Sequence, residues 1–392
     1  MLAFRVRPDM ELLDESSVPA EVREAKRDAR AFAREHVEPN AARHFADGTY
    51  PREVVEAAVE ADLVGIEISE AYGGRGASLR ESLAVTEELF RADAGIGMAI
   101  RGRSFGTNVL ERYGTDEQKE RYLPGIPSGE SFTGMAISEP ETGSDLAGMT
   151  TRAEREGDEW VIDGEKYWIG NGIDADWVLT YVKTEETDDR HANHSLVVVP
   201  TDAPGYAAEH IPEKIGMRAS QQAHIVFDDC RVPAENLVGE RGEGFRMVAE
   251  FFDHGRISAA GHGLGIAAAA IEEAWAFVDD REEFGRPIGE FQSVQHDLAD
   301  MRTEFESARA LTWRAAERVE TDEAASDWSA MAKTKATETA VECAETGMRL
   351  HGGRGVLDEH RISRLYRDAR LPLIYEGVNE VQRDIVYKRS EA

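Results

Sequence analysis

Only two cysteines, Cys230 and Cys343, occur in 392 residues, and neither belongs to a CxxC pair or stands near a second set of metal ligands. That excludes a disulfide framework and fits a reducing cytoplasm. Long apolar runs are missing as well. The longest stretch without a formal charge, Ile257 to Ile271, is 15 residues broken by Ser258, His262 and three glycines, short of the roughly 20 that cross a bilayer. It reads as a buried helix whose small residues allow close packing. Charges at Arg5, Arg7, Asp9, Glu11, Asp14 and Glu15 leave no apolar run for a signal peptide. Basic residues are scarce: 45 against 76 acidic ones, for a net charge of -31, and only eight of them are lysine. Such a surface repels phosphate backbones and anionic lipids, so neither nucleic acid nor membrane insertion is expected. Excess carboxylate with little lysine is read as a halophile's surface, soluble in salt that screens its own repulsion.

What is present, 41% hydrophobic and 31% charged residues, can bury a substantial core, and the length suggests two or three domains. From about Pro19 to Ile126 the apolar spacing is helical, over Val22 to Val37, Pro51 to Leu63 and Leu79 to Phe90. Between Ser131 and Val238 the period changes to short β-branched runs, Glu159 to Ile162, Trp177 to Val182, Ser195 to Val199 and His224 to Phe227, separated by Gly, Asp and Pro turns. Helical spacing returns over Gly244 to Val278, Gln292 to Val319, Ala324 to Leu350 and again after Gly377. The expected domains are therefore an α-helical one over 1–128, a β one over 129–238 and an α-helical bundle over 239–392, packed as one unit.

No Walker phosphate loop and no HExxH motif occurs, and the spacing of Gly261, Gly263 and Gly265 reads as helix packing, not as a dinucleotide fingerprint. His191 and His194 have metal-ligand spacing but no third ligand in view, so a solvated loop is expected there and no metal site. Five segments remain. They are Ala136-Ile-Ser-Glu-Pro-Glu-Thr-Gly-Ser-Asp145, Lys166-Tyr-Trp-Ile-Gly-Asn-Gly172, Arg281-Glu-Glu-Phe-Gly-Arg-Pro-Ile288, Leu350-His-Gly-Gly-Arg-Gly355 and Ile374-Tyr-Glu-Gly377. In this order, over nearly the whole chain, they resemble the acyl-CoA dehydrogenase family of flavoproteins. The resemblance implies a mainly α fold with a middle β domain: an N-terminal helical domain, a β-barrel-like domain and a C-terminal four-helix bundle, assembled as a homotetramer, a dimer of dimers.

It also implies FAD as cofactor and a set of site residues. Met135, Ile137 and Ser138 would meet the isoalloxazine, Trp168 would cover it, and Ser144 would touch the CoA thioester tail. Arg281 and Gln292 would bind the FAD pyrophosphate of a neighbouring subunit, with Gly352 and Gly353 meeting it through their backbone. Arg349, Phe284, Val378 and Glu380 join the implied cofactor contacts, and His351 is close enough in sequence to reach them. Glu376 would be the general base: a carboxylate aimed at an acidic α-carbon, in the apolar setting of Leu371, Pro372, Leu373, Ile374 and Tyr375, which raises its pKa. Gly377 permits a tight backbone path that turns the Glu376 N–H to the thioester oxygen. Asp253 would contact pantetheine or CoA, Arg256 would order the site, and Tyr375 would line the substrate.

Three departures stand out. A threonine whose hydroxyl bonds the flavin near N5 is replaced by Gly170, which keeps only the backbone N–H. Some branches carry their base just before the arginine equivalent to Arg256, and here that position is Gly255. Arg354 replaces a common asparagine. The implied reaction is α,β-dehydrogenation: Glu376 takes the pro-R α-proton, FAD takes the β-hydride, a trans-2-enoyl-CoA results, and electrons leave through an electron-transferring flavoprotein. A glutaryl-CoA-type decarboxylating enzyme is one alternative, weakened because Gly97 replaces its arginine but kept open by Arg101 and Arg103. An acyl-CoA oxidase or flavin monooxygenase is another, and a catalytically dead scaffold the non-enzymatic one.

Overall fold

A computed structural model describes residues 18–321 and 325–390. The charged segment from Arg5 to Glu15, and Ala324 at the expected start of a long helix, lie outside the described residues. The observed order is helical, β, helical. Helices α1 (Ala20–Phe32), α2 (Glu38–Asp47), α3 (Arg52–Glu60), α4 (Leu79–Ala92), α5 (Ala94–Arg101), α6 (Thr107–Tyr113) and α7 (Asp116–Tyr122) come first. A capping box at Ser78 and Glu81 starts α4, and Asp93 starts α5 by accepting from the Ile96 N–H at 2.9 Å.

The middle segment is one eight-stranded sheet. Its strands are β1 (Thr133–Ala136), β2 (Arg152–Glu156), β3 (Glu159–Gly170), β4 (Trp177–Lys183), β5 (His194–Pro200), β6 (Tyr206–His210), β7 (Gln222–Pro233) and β8 (Leu237–Val238), in the order β6-β7-β3-β2-β4-β5-β8 with β1 parallel to β4. His194 corrects the expectation of a solvated loop: it begins β5, is buried, stacks on Tyr181 and hydrogen-bonds the Met149 carbonyl at 3.1 Å. His191 is exposed and stacks on Phe245.

The third segment holds α8 (Gly244–Asp280), a hairpin of β9 (Glu282–Glu283) and β10 (Arg286–Pro287), α9 (Gln292–Thr321), α10 (Ser326–Leu350), α11 (Arg361–Asp368) and α12 (Asn379–Ser390). Helix α11 and the hairpin escape the sequence reading because they are short: eight residues make barely two helical turns, and each hairpin strand holds only two residues. The long apolar run lies inside α8, which packs against α4, α9 and α10. Its glycines serve as expected: a Cβ at Gly261 would press on Leu83, at Gly263 on the Ala336 carbonyl at 2.7 Å, and at Gly265 on the Glu87 carbonyl at 2.6 Å. Gly263→Ala should therefore force α8 and α10 apart, lowering unfolding free energy by about 1–3 kcal/mol. An unchanged denaturation midpoint would contradict the close approach.

Candidate active site

The loop between α11 and α12 turns sharply at Glu376 and Gly377, whose φ angles are +54° and +84°. A glutamate in the left-handed region is strained, and a network beneath it holds it there. Lys333 of α10, fully buried, donates from Nζ to the carbonyls of Leu373 at 3.2 Å and Gly377 at 2.8 Å, and to Asn379 Oδ1 at 2.7 Å. Gln382 donates to the carbonyls of Glu376 at 3.3 Å and Gly377 at 3.0 Å. Three ammonium protons thus meet three acceptors across the turn.

Above this turn the Glu376 carboxyl reaches α8 beside Gly255. Any Cβ at position 255 would overlap Oε2, so glycine makes the room that this carboxylate occupies. Oε2 is buried and has no hydrogen-bond partner among the described residues. Burial raises the Glu376 pKa to about 7, against the opposing pull of the Arg256 and Lys333 charges. Burial in turn lowers Lys333 to about 7, opposed chiefly by Glu376.

Arg256, buried on α8, donates to Asp253 at 2.6 Å, and Asp253 also accepts from Ser326 at 2.7 Å and Ser329 at 3.2 Å. The Asp253 carboxylate is thereby occupied in holding Arg256 to α8 and α10. Tyr375 turns its hydroxyl inward to His262 of α8 at 2.9 Å, so it anchors the turn. His262 stacks on Phe90, and burial keeps it neutral.

A second group of residues gathers at the end of β1. Ile137 and Ser138 follow the strand, and their carbonyls accept from Lys166 Nζ and the Tyr167 N–H, both at 2.8 Å. Lys166 is fully buried and bonds Glu139 at 3.0 Å; Glu139 also accepts from the Thr150 and Thr151 N–H groups at 2.8 Å. Burial lowers the lysine to about 8, while Lys166 and those N–H groups, overcoming desolvation, hold Glu139 down at about 2. This ion pair fixes the loop after β1. Next to it the β3–β7 register shifts between Lys166 and Ile169, and Trp168 adopts φ +66°. The bulge re-aims its indole outward, leaving it 57% exposed. A Cβ at Gly170 would meet nothing within 4 Å, so steric crowding does not require the missing side chain there. Met135 is half-buried and Ser144 exposed.

The remaining residues, Val378 and Glu380 apart, cluster at the far end of α8. Arg281 follows its last turn and pairs with Glu283. Phe284 and Gly285 form the hairpin turn with φ +52° and +78°, and Phe284 is 93% exposed. Gln292 opens α9; Arg349 grips Asp297 of α9 at 2.9 and 3.0 Å. Gly352 and Gly353 follow α10, with open space where a Cβ would stand. His351 is buried against Phe277. Val378 is half-buried and Glu380 exposed, beside the Glu376 turn. Arg256 and Arg281 lie 25 positions apart along α8, about 37 Å by helical rise, so the chain holds two separated groups. Sequence reasoning singled out Glu376 and the glycines but passed over Lys333, Asn379, Gln382 and Glu139. The stripe Ala330, Lys333, Ala336, Ala340 was the available signal, since three apolar partners at helical spacing put the lysine on a buried face.

Three family models match the chain: "Acyl-CoA dehydrogenase, N-terminal domain" over residues 19–130, "Acyl-CoA dehydrogenase, middle domain" over 134–230 and "Acyl-CoA dehydrogenase, C-terminal domain" over 242–391. The probable acyl-CoA dehydrogenase YngJ of Bacillus subtilis is 36% identical, over 94% of this chain and 96% of its own. Among solved structures, butyryl-CoA dehydrogenase from Megasphaera elsdenii superposes with a TM-score of 0.92 at 29% identity, covering 96% of this chain and 99% of that one. Glutaryl-CoA dehydrogenase from Mycobacterium smegmatis does so with a TM-score of 0.92 at 31% identity, covering 98% of each.

Proposed function

The chain belongs to the acyl-CoA dehydrogenase family and acts as an oxidoreductase on acyl-CoA, and from that premise we propose that it converts an acyl-CoA to the trans-2-enoyl-CoA with Glu376 as general base. One observation carries the reading most: a buried carboxyl oxygen without a partner among the described residues, with a pKa raised to about 7, set against Gly255, which with Phe251 and Ile257 lines a cavity. A base near neutral pH is matched to taking a weakly acidic α-proton. Arg256 and Lys333 keep enough of it ionised to act. The Glu376 N–H, presented by the left-handed turn, would donate to the thioester oxygen and stabilise its developing charge.

The residues present fit FAD. An outward indole at Trp168, with Met135, Ile137 and Ser138 at the end of β1, offers a flat apolar face beside polar backbone groups suited to an isoalloxazine. Arg281 with Gln292, Gly352 and Gly353 would hold the pyrophosphate, where planar donors and bare backbone suit an oxyanion. Because about 37 Å of α8 separates Arg281 from Arg256 and the Glu376 turn, the pyrophosphate group would serve the FAD of a neighbouring subunit, which supports a homo-oligomer. Bound FAD supplies the two-electron acceptor for the β-hydrogen, which leaves as hydride. An electron-transferring flavoprotein is the proposed onward acceptor.

The test is FAD-reconstituted protein, mixed without oxygen, at high salt, with short, branched, long and dicarboxylic acyl-CoAs. Bleaching of the flavin absorbance with an enoyl-CoA product, followed by slow reoxidation in air, is expected. Rapid peroxide release would make it an oxidase, and a colourless protein that FAD cannot reconstitute would leave a scaffold.

A further inference from the structure

Helices α1, α4, α8 and α9 meet around a second cavity, of about 20 Å³, enough for a particle the size of a water and too little for sulfate or phosphate. Its wall is charged. Four cations, Lys26, Arg30, Arg91 and Arg309, share it with three carboxylates, Glu87, Glu88 and Glu272. Beyond the wall Glu306, near enough to feel Lys26 and Arg309, is matched by Arg302 at 3.9 Å, so one positive charge stays in excess.

The three carboxylates are already occupied. Glu88 accepts from Arg30 Nε and Nη2, both at 2.9 Å, and from Arg91 at 3.1 Å. Glu87 accepts from Arg309 at 3.0 Å and from the Trp313 indole at 2.9 Å, and Glu272 pairs with Arg91 at 2.5 Å. Lys26 is the cation left over. It is 8% exposed, and its ion pair with Glu88 Oε1 spans 4.0 Å, beyond hydrogen-bond reach. Among the described residues its ammonium makes no hydrogen bond. Burial lowers the Lys26 pKa, and repulsion from Arg309 adds to that against the pull of Glu87 and Glu88, so a second cation stands close by. Arg309 is 2% exposed, and its Nε–H has no acceptor among the described residues.

A buried charge without a counter-charge is far costlier than a paired one. Water would satisfy the ammonium protons and leave the excess charge in place, whereas a small anion would do both. We propose that this cavity binds one monoatomic anion, chloride, held between Lys26 and Arg309, and that the ion ties α1 to α9. The site is separate from the Glu376 turn and does not depend on the acyl-CoA reading.

Crystals of the FAD-loaded protein soaked in sodium bromide test the site directly. An anomalous bromide peak in contact with Lys26 is expected. Its absence, with bromide visible elsewhere on the surface, overturns the site and leaves a neutral lysine beside water. Thermal unfolding gives the second readout. At matched ionic strength the midpoint should rise saturably, by about 2 °C or more, as chloride or bromide replaces gluconate, which is too large to enter. In Lys26→Met that difference should vanish, while salt effects common to both proteins remain; a bromide peak that persists in the variant removes Lys26 as its ligand and overturns the assignment. A wild-type peak without the midpoint difference means an adventitious ion only and overturns the link between α1 and α9. Should the variant fail to fold, the wild-type peak and midpoint decide together.

Discussion

Replacing the carboxyl in Glu376→Gln is expected to lower turnover by about 10²- to 10⁴-fold, the usual worth of a positioned general base, while the protein stays yellow and still binds acyl-CoA. The amide keeps the shape that fits beside Gly255 but cannot accept a proton from carbon. Anaerobic stopped-flow bleaching measures the loss, and spectral perturbation of the flavin by acyl-CoA measures retained binding. The wild-type enzyme should carry the matching pH signature. Only the ionised carboxylate accepts the α-proton, and burial raises its pKa to about 7, so kcat/KM should rise with pH through about 7 and level off above it. A rate independent of pH between 5.5 and 8.5, or a Gln variant that turns over normally, would remove Glu376 from the chemistry.

Lys333→Met should reduce turnover by about 10²-fold, the scale of a misplaced reacting group, although Lys333 is a positioning residue that touches neither substrate nor cofactor in this proposal. Two effects combine. The turn at Glu376 loses the donor that joins Leu373, Gly377 and Asn379, leaving three acceptors unpaired in a buried site. The carboxylate also loses a nearby cation that favours its charged form, so its pKa should climb and the acidic limb of the pH profile should move upward from about 7. A purely structural lysine would lower thermal stability without moving that limb. The pH profile therefore separates the two roles, and an unmoved limb would refute the electrostatic one.

Much of the fold is legible in the chain because hydrophobic period is a local property. Apolar residues at helical spacing from Gly244 onward, with no charge between Ile257 and Ile271, mark α8 as a buried helix, and its glycines mark close packing; the observed Gly244–Asp280 helix, with Gly261 and Gly263 pressed on α4 and α10, follows from that pattern. The short β-branched runs likewise mark β4 and β5. What stays hidden is non-local. Strand β3 runs on to Gly170 because β7 pairs with it, and the bulge that turns Trp168 outward exists only as a mismatch between two strands. His194 lies next to a polar loop in sequence yet is buried, because Tyr181 on the neighbouring strand covers it.

The candidate site divides in the same way. The types and order of its residues, a glutamate before glycine in an apolar segment, an arginine at the end of a long helix and a glycine pair after another, are written in the sequence and suffice for the family. Only folding brings Glu376 against Gly255, slides Lys333 beneath the turn and sets Arg101 in the wall of the cavity that Gly255 lines. Burial and Coulomb fields depend on distances in space between residues far apart along the chain. A linear string therefore names the groups that can do chemistry, while the packed structure sets their protonation and decides what they face.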